Sequence, residues 1–137
     1  MLDSYGKLLS KFRDLTLWET VKSVMEWDFE TKMPLGGMNQ RSMQMALLEQ
    51  IIHQRWIDPE INTLLAEVKH SSEYEGFGAE EKRNIYLMQR GYDRETRLPD
   101  DLVNAIAKQT VVCNSVWKRA KAMKDFSMFK RDLKSMI

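Results

Sequence analysis

Three prolines, Pro34, Pro59 and Pro99, divide a 137-residue chain whose apolar residues recur at three- and four-residue steps. Proline disfavours helical backbone in the residue before it and is tolerated only in the first turn of a helix. The chain is therefore confined to amphipathic helices with stops at fixed places. From Tyr5 to Trp27, the residues Leu8, Leu9, Phe12, Leu15, Val21, Val24 and Met25 predict helix one. It should end near Met33, before Pro34, with Gly36-Gly37 releasing the chain into a turn. Met38, Met45, Leu48, Ile51, Ile52 and Trp56 form the buried stripe of helix two, while Gln40, Arg41, Gln44 and Gln54 should be wetter. Asp58-Pro59 then opens helix three, with aspartate as cap and proline at the first position; Ile61, Leu64, Leu65 and Val68 line it.

The segment from His70 to Gly78 has no apolar period and reads as a surface loop, the most mobile piece expected. A fourth helix runs from about Ala79 to Thr96 on Ile85, Met88 and Tyr92, with acids at its start and Leu98-Pro99 at its end. Asp100 and Asp101 open a fifth, which carries Leu102, Val103, Ile106, Thr110, Cys113, Val116, Trp117 and Ala120 at helical spacing. Asp125 can cap a last helix with Phe126, Phe129, Leu133 and Met136. No strand pattern, phosphate loop or repeat is present, so the class is all-α: a bundle of about five or six helices, with long antiparallel ones, in a single domain over residues 1–137. The pattern is still running at Ile137, which predicts a truncated end whose Phe126, Phe129, Leu133 and Ile137 need a covering partner.

Composition narrows the function. Formal net charge is +1, so no global field draws the chain to nucleic acid or an anionic membrane. The single cysteine, Cys113, forbids an internal disulfide, and Asp3, Lys7, Lys11 and Arg13 interrupt any signal-like apolar run; a soluble cytoplasmic protein is expected. The ten methionines mostly fall on helical stripes and read as core filling. Lys118, Arg119, Lys121, Lys124, Lys130 and Arg131 make the C-terminal region basic, interleaved with Trp117, Phe126 and Phe129. Those aromatics keep core spacing, so a solvated cationic face is expected rather than a nucleic-acid surface.

Glu49 and His53 stand four residues apart and could share a helix face, but two ligands are too few for a metal site. His70 and Cys113 could join them only through a tertiary coincidence, and Cys113 reads as a small apolar core residue. Glu26, Asp28 and Glu30 crowd the end of helix one, where acids oppose the helix dipole unless partnered. Arg41 is the natural partner: Asp28 and Arg41 should pair, or cap backbone groups, across the Met33 to Gly37 turn, with Trp27 packed beneath.

The same turn carries a resemblance. Trp27, Asp28, Thr31, Met33, Pro34 and Gly37, with Arg41 downstream, resemble the signature near the N-terminal end of the carboxypeptidase Taq family of zinc metallocarboxypeptidases. Other fragments follow in the family's order. Ile52-His53-Gln54-Arg55-Trp56 and Asp58 to Leu65 look like its second and third helices, and Arg90 to Pro99 like its arginine-rich helix and Leu-Pro break. Trp117 to Lys121 and Asp125 to Phe129 are similar to its Trp-x-x-Ala and Asp-Phe-x-x-Phe elements. The resemblance implies a mostly helical peptidase that removes residues from peptide C-termini, with zinc held by a His-Glu-x-x-His helix and a later glutamate.

None of that chemistry is in this sequence. Its two histidines, His53 and His70, are followed by Gln54 and Ser71, and the family's His-Pro-Phe and Asp-x-Arg-x-Thr elements are missing. The chain is thus expected to supply no catalytic, cofactor-binding or metal-binding residue. It should act as the non-catalytic N-terminal helices of such an enzyme, with the remainder of the carboxypeptidase chain or a second copy as partner, while the resemblance places zinc and the peptide substrate in the full-length family. A stand-alone helical interaction protein derived from the family is the other reading.

Overall fold

The computed structural model describes residues 3–137. Among the described residues there are six α-helices and no strand: α1 (Ser4–Thr31), α2 (Met38–Trp56), α3 (Pro59–His70), α4 (Ala79–Glu95), α5 (Asp100–Met123) and α6 (Ser127–Met136). Single 3₁₀ turns at Leu35–Gly37 and Tyr74–Gly76 complete the element order. The chain divides into two compact units, and α1 and α2 each contribute to both.

The first unit takes the chain up to Val21 together with Ile51–Pro99. Its core is largely apolar: Leu8 and Leu65 are fully buried, and Ile61, Val68 and Ile85 nearly so. Each such side chain stabilises the fold by about 1.5–3 kcal/mol relative to exposure. The start of α3 follows from its sequence. Asp58 Oδ1 accepts the Glu60 N–H at 2.9 Å, with Pro59 at the first helical position. Lys11 of α1 then binds the same corner, its Nζ 2.7 Å from both Asp58 Oδ2 and Glu60 Oε2.

The Trp56 ring, at the end of α2, packs against α4 at Gly91. A methyl group built at Gly91 would stand 2.4 Å from Trp56 Cζ3, so only glycine fits at that point of the helix. The segment before α4 is less loose than its composition suggests. Tyr74 and Phe77 are half-buried, and the Phe77 ring lies 5.0 Å from that of Tyr5. Aromatic contact, invisible to a search for helical period, organises this loop.

The second unit comprises Lys22–Gln50 and Asp100–Ile137. Met45, Ala46, Leu48, Val111, Cys113 and Ala120 are its buried apolar residues. Here the expected stripes need correction. Val21, at the end of the first unit, and Val24 of α1, with Leu102, Ile106 and Trp117 of α5, are exposed, while Val111 is buried in α5.

Helix α5 ends in a reversal at Lys124, whose φ of 54° is left-handed. The Asp125 N–H reaches back to the Ala120 carbonyl at 2.9 Å, a bond of the kind that closes helix C-termini. Asp125 then opens α6 by accepting the Ser127 N–H at 2.9 Å. Packing against α5 half-covers Phe129, whose ring lies 5.3 Å from Trp117, and Leu133; of the expected exposed set, Phe126 and Ile137 do face solvent.

Candidate functional site

The α1–α2 junction gathers the signature residues, all within the second unit. At the end of α1 the Asp28 carbonyl accepts both the Lys32 N–H at 2.9 Å and the Met33 N–H at 2.8 Å, while Thr31 Oγ1 donates to the Trp27 carbonyl at 2.6 Å. These bonds satisfy carbonyls that a helix end leaves without partners. Pro34 is extended (φ −62°, ψ 147°), and its carbonyl accepts the Gly37 N–H at 2.9 Å to close the 3₁₀ turn into α2.

Neither Gly36 nor Gly37 has a positive φ, so the expected glycine-driven release is replaced by a tight right-handed turn that feeds α2 directly. Gly37 is close-packed: a methyl there would sit 3.4 Å from Met33 Cγ. At Gly36 a methyl would meet nothing within 4 Å.

The charges at this junction are matched. Arg41 Nη2 lies 2.5 Å from Asp28 Oδ2, an ion contact without hydrogen-bond alignment. Glu30 Oε2 receives Lys118 Nζ of α5 at 2.6 Å, and the same ammonium stands 4.8 Å over the Phe29 ring. Lys22 pairs with Glu49 and, at 3.8 Å, with Glu26. Each acid at the end of α1 thus has a cation from another turn or helix, which offsets its unfavourable place on the dipole. Trp27 is the correction: it does not pack beneath the pair but is 58% exposed.

The remaining candidates separate. Glu49 turns to Lys22, whereas His53, 3% exposed, faces Glu95 through Nδ1 at 3.4 Å in the first unit. The two do not form a ligand pair. His70 is exposed with its Nδ1 2.7 Å from the Ala66 carbonyl, and Cys113 is buried with Sγ donating to the Asp132 carbonyl at 3.4 Å. Among the described residues no three histidine, cysteine, aspartate or glutamate side chains converge.

Of the cationic C-terminal run, Lys118 is committed to Glu30, and the Phe129 ring contacts both Trp117 and Phe126. The sequence reading missed Lys118 as a brace and Gly91 as the seat of Trp56. A glycine inside a helical pattern was the available signal for the second; the first had none.

The all-α fold of the described residues has counterparts among carboxypeptidases. It superposes on the crystal structure of BsuCP with a TM-score of 0.88 over 96% of the chain at 17% identity, and on the apo-Mg structure of Pyrococcus furiosus carboxypeptidase with 0.73 over 98% at 24%. In sequence it is 26% identical to thermostable carboxypeptidase 1 of Pyrococcus furiosus over 98% of its length, and 28% identical to that of Thermus thermophilus over 92%. The profile of the carboxypeptidase Taq (M32) metallopeptidase matches residues 7–137, and the chain belongs to that family. It spans about a quarter of the length of these relatives, 26% and 25% respectively. No helix among the described residues is long and apolar enough to cross a membrane.

Proposed function

We propose that this chain serves as the N-terminal, non-catalytic helical part of a zinc-dependent metallocarboxypeptidase that removes C-terminal residues from peptides. The observation that carries the reading is the partial alignment: 98% of the chain falls on 26% of a thermostable carboxypeptidase, while the sequence contains no His-Glu-x-x-His. Zinc in such an enzyme activates water and polarises the scissile carbonyl. Among the described residues the donors do not converge as that metal requires.

In this reading residues 1–137 act as one helical domain, and Trp27, Asp28, Thr31, Met33, Pro34, Gly37 and Arg41 hold the α1–α2 junction in shape. The exposed apolar residues Val24, Trp27, Met43 and Leu47 would be covered by further protein, the remainder of such a carboxypeptidase or a second copy. The chain alone should then bind no stoichiometric zinc and release no amino acid from an unblocked test peptide. Release that a chelator abolishes would overturn the reading.

A further inference from the structure

Arginines gather on one side of α4 with fewer acids than would neutralise them. Arg90 and Arg94 stand one helical turn apart, and Arg97 follows in the turn before Pro99. With Tyr86, Gln89 and Asp93 they line an open groove of about 380 Å³ in the first unit. Arg94 reaches Glu95 Oε1 at 3.0 Å, but its side chain is 73% exposed, so the pair leaves most of its field available to a ligand. Arg90 and Arg97 are exposed and meet no carboxylate among the described residues. Asp93, the acid of the groove, is held in place: it accepts from Gln89 Nε2 at 2.8 Å, and Gln89 Oε1 accepts from Lys69 Nζ at 2.9 Å.

We propose that this groove binds an acidic peptide segment in extended form, with carboxylates on Arg90, Arg94 and Arg97 and a backbone N–H on Asp93. A guanidinium presents a planar fork that matches a carboxylate in two bonds. The spacing also fits. A helix rises about 1.5 Å per residue, which puts Arg90 and Arg94 about 6 Å apart along its axis. Alternate side chains of an extended strand recur at about 6.6 Å, so acids two positions apart meet Arg90 and Arg94.

The carboxylate in the groove decides between polyanions. A nucleic-acid backbone presents phosphate acceptors that Asp93 repels, and with a formal net charge of +1 the chain has no wider field to compensate. A peptide supplies both signs that the groove asks for, carboxylates and N–H donors. Tyr86, half-exposed and 5.1 Å from the Arg83 guanidinium, offers apolar surface to the residue between two acids. This inference is independent of any hydrolytic role.

The test is fluorescence anisotropy of the 137-residue chain with a labelled peptide of alternating glutamate and glycine, its glutamine counterpart and a single-stranded oligonucleotide. The glutamate peptide should bind, the glutamine peptide and the oligonucleotide should not, and raising salt from low to physiological strength should weaken binding several-fold. Arg90→Gln and Arg97→Gln should each weaken it about fivefold, in line with one exposed pair lost, with helicity by circular dichroism unchanged. Arg119→Gln, outside the groove, should leave it as it was. Absence of glutamate-peptide binding, equal loss in Arg119→Gln, tighter oligonucleotide binding, or self-association through the same arginines would each overturn the proposal.

Discussion

The two compact units are built from the same kind of sequence yet close their surfaces differently. The five largest fully buried side chains, Leu8, Ile61, Leu65, Val68 and Ile85, all belong to the first unit. In the second, Val24, Trp27, Leu35, Met43, Leu47, Leu102, Ile106, Val112, Trp117 and Phe126 are exposed. The second unit compensates with ion pairs at the α1–α2 junction, which fix geometry but contribute little energy at a wet surface. Apolar content therefore does not measure core. The first unit buries more of its stripes, though Leu17, Val21 and Leu87 stay exposed, and the second displays more of them.

The contrast breaks or sharpens under substitution. Leu65→Ala should lower stability in urea denaturation by about 2–5 kcal/mol, whereas Leu47→Ala, at a 59% exposed residue, should stay within about 0.5 kcal/mol. Equal costs would erase the difference between the units. Gly91→Ala comes next. A helix-interior alanine ordinarily gains stability over glycine, but here the methyl runs into Trp56, and a loss of about 1–3 kcal/mol is expected. In a Trp56→Leu background the sign should reverse, a coupling that a double-mutant cycle reads directly.

Asp58→Ala should cost about 1 kcal/mol through its cap, more with the Lys11 contact. The hydrogen bond from Lys11, then that from the Glu60 N–H, hold the Asp58 carboxyl below its ordinary 3.8. The stability it lends is present above that value and is lost as pH falls through the depressed one. Lys11 is raised above 10.5 by its bonds to Asp58 and Glu60, so its contribution is full below 10.5 and fades as pH climbs past the raised value. Lys11→Met should flatten both limbs. Arg41→Ala should cost about 0.5–1 kcal/mol through Asp28, and an unchanged melting temperature would remove the junction brace from the account.

Helix order and boundaries were legible because they are local. Pro34, Pro59 and Pro99 mark the stops within a few residues; Asp58 caps α3 as expected, whereas Asp125 stands one residue before the Phe126 cap of α6 and accepts the Ser127 N–H. Faces were harder to read. Leu17, Val21 and Val24 keep helical spacing on α1 just as Leu8 and Leu15 do, and periodicity does not say which stripe meets a neighbour. At the junction, the Asp28–Arg41 approach follows from charge and spacing along one stretch of chain. Lys118 beside Glu30 depends on packing between distant segments, and Trp27, large and apolar, gave every local reason to expect burial.

The left-handed Lys124 has a kinetic consequence. A side chain in that conformation carries about 1 kcal/mol of steric cost, tolerated while the α5–α6 packing enforces it. Any fluctuation that lifts α6 from α5 releases that cost. Backbone amides of α6 should therefore exchange with solvent deuterium through small local openings, well before those of α3 and α4, whose exchange must await disruption of the apolar core.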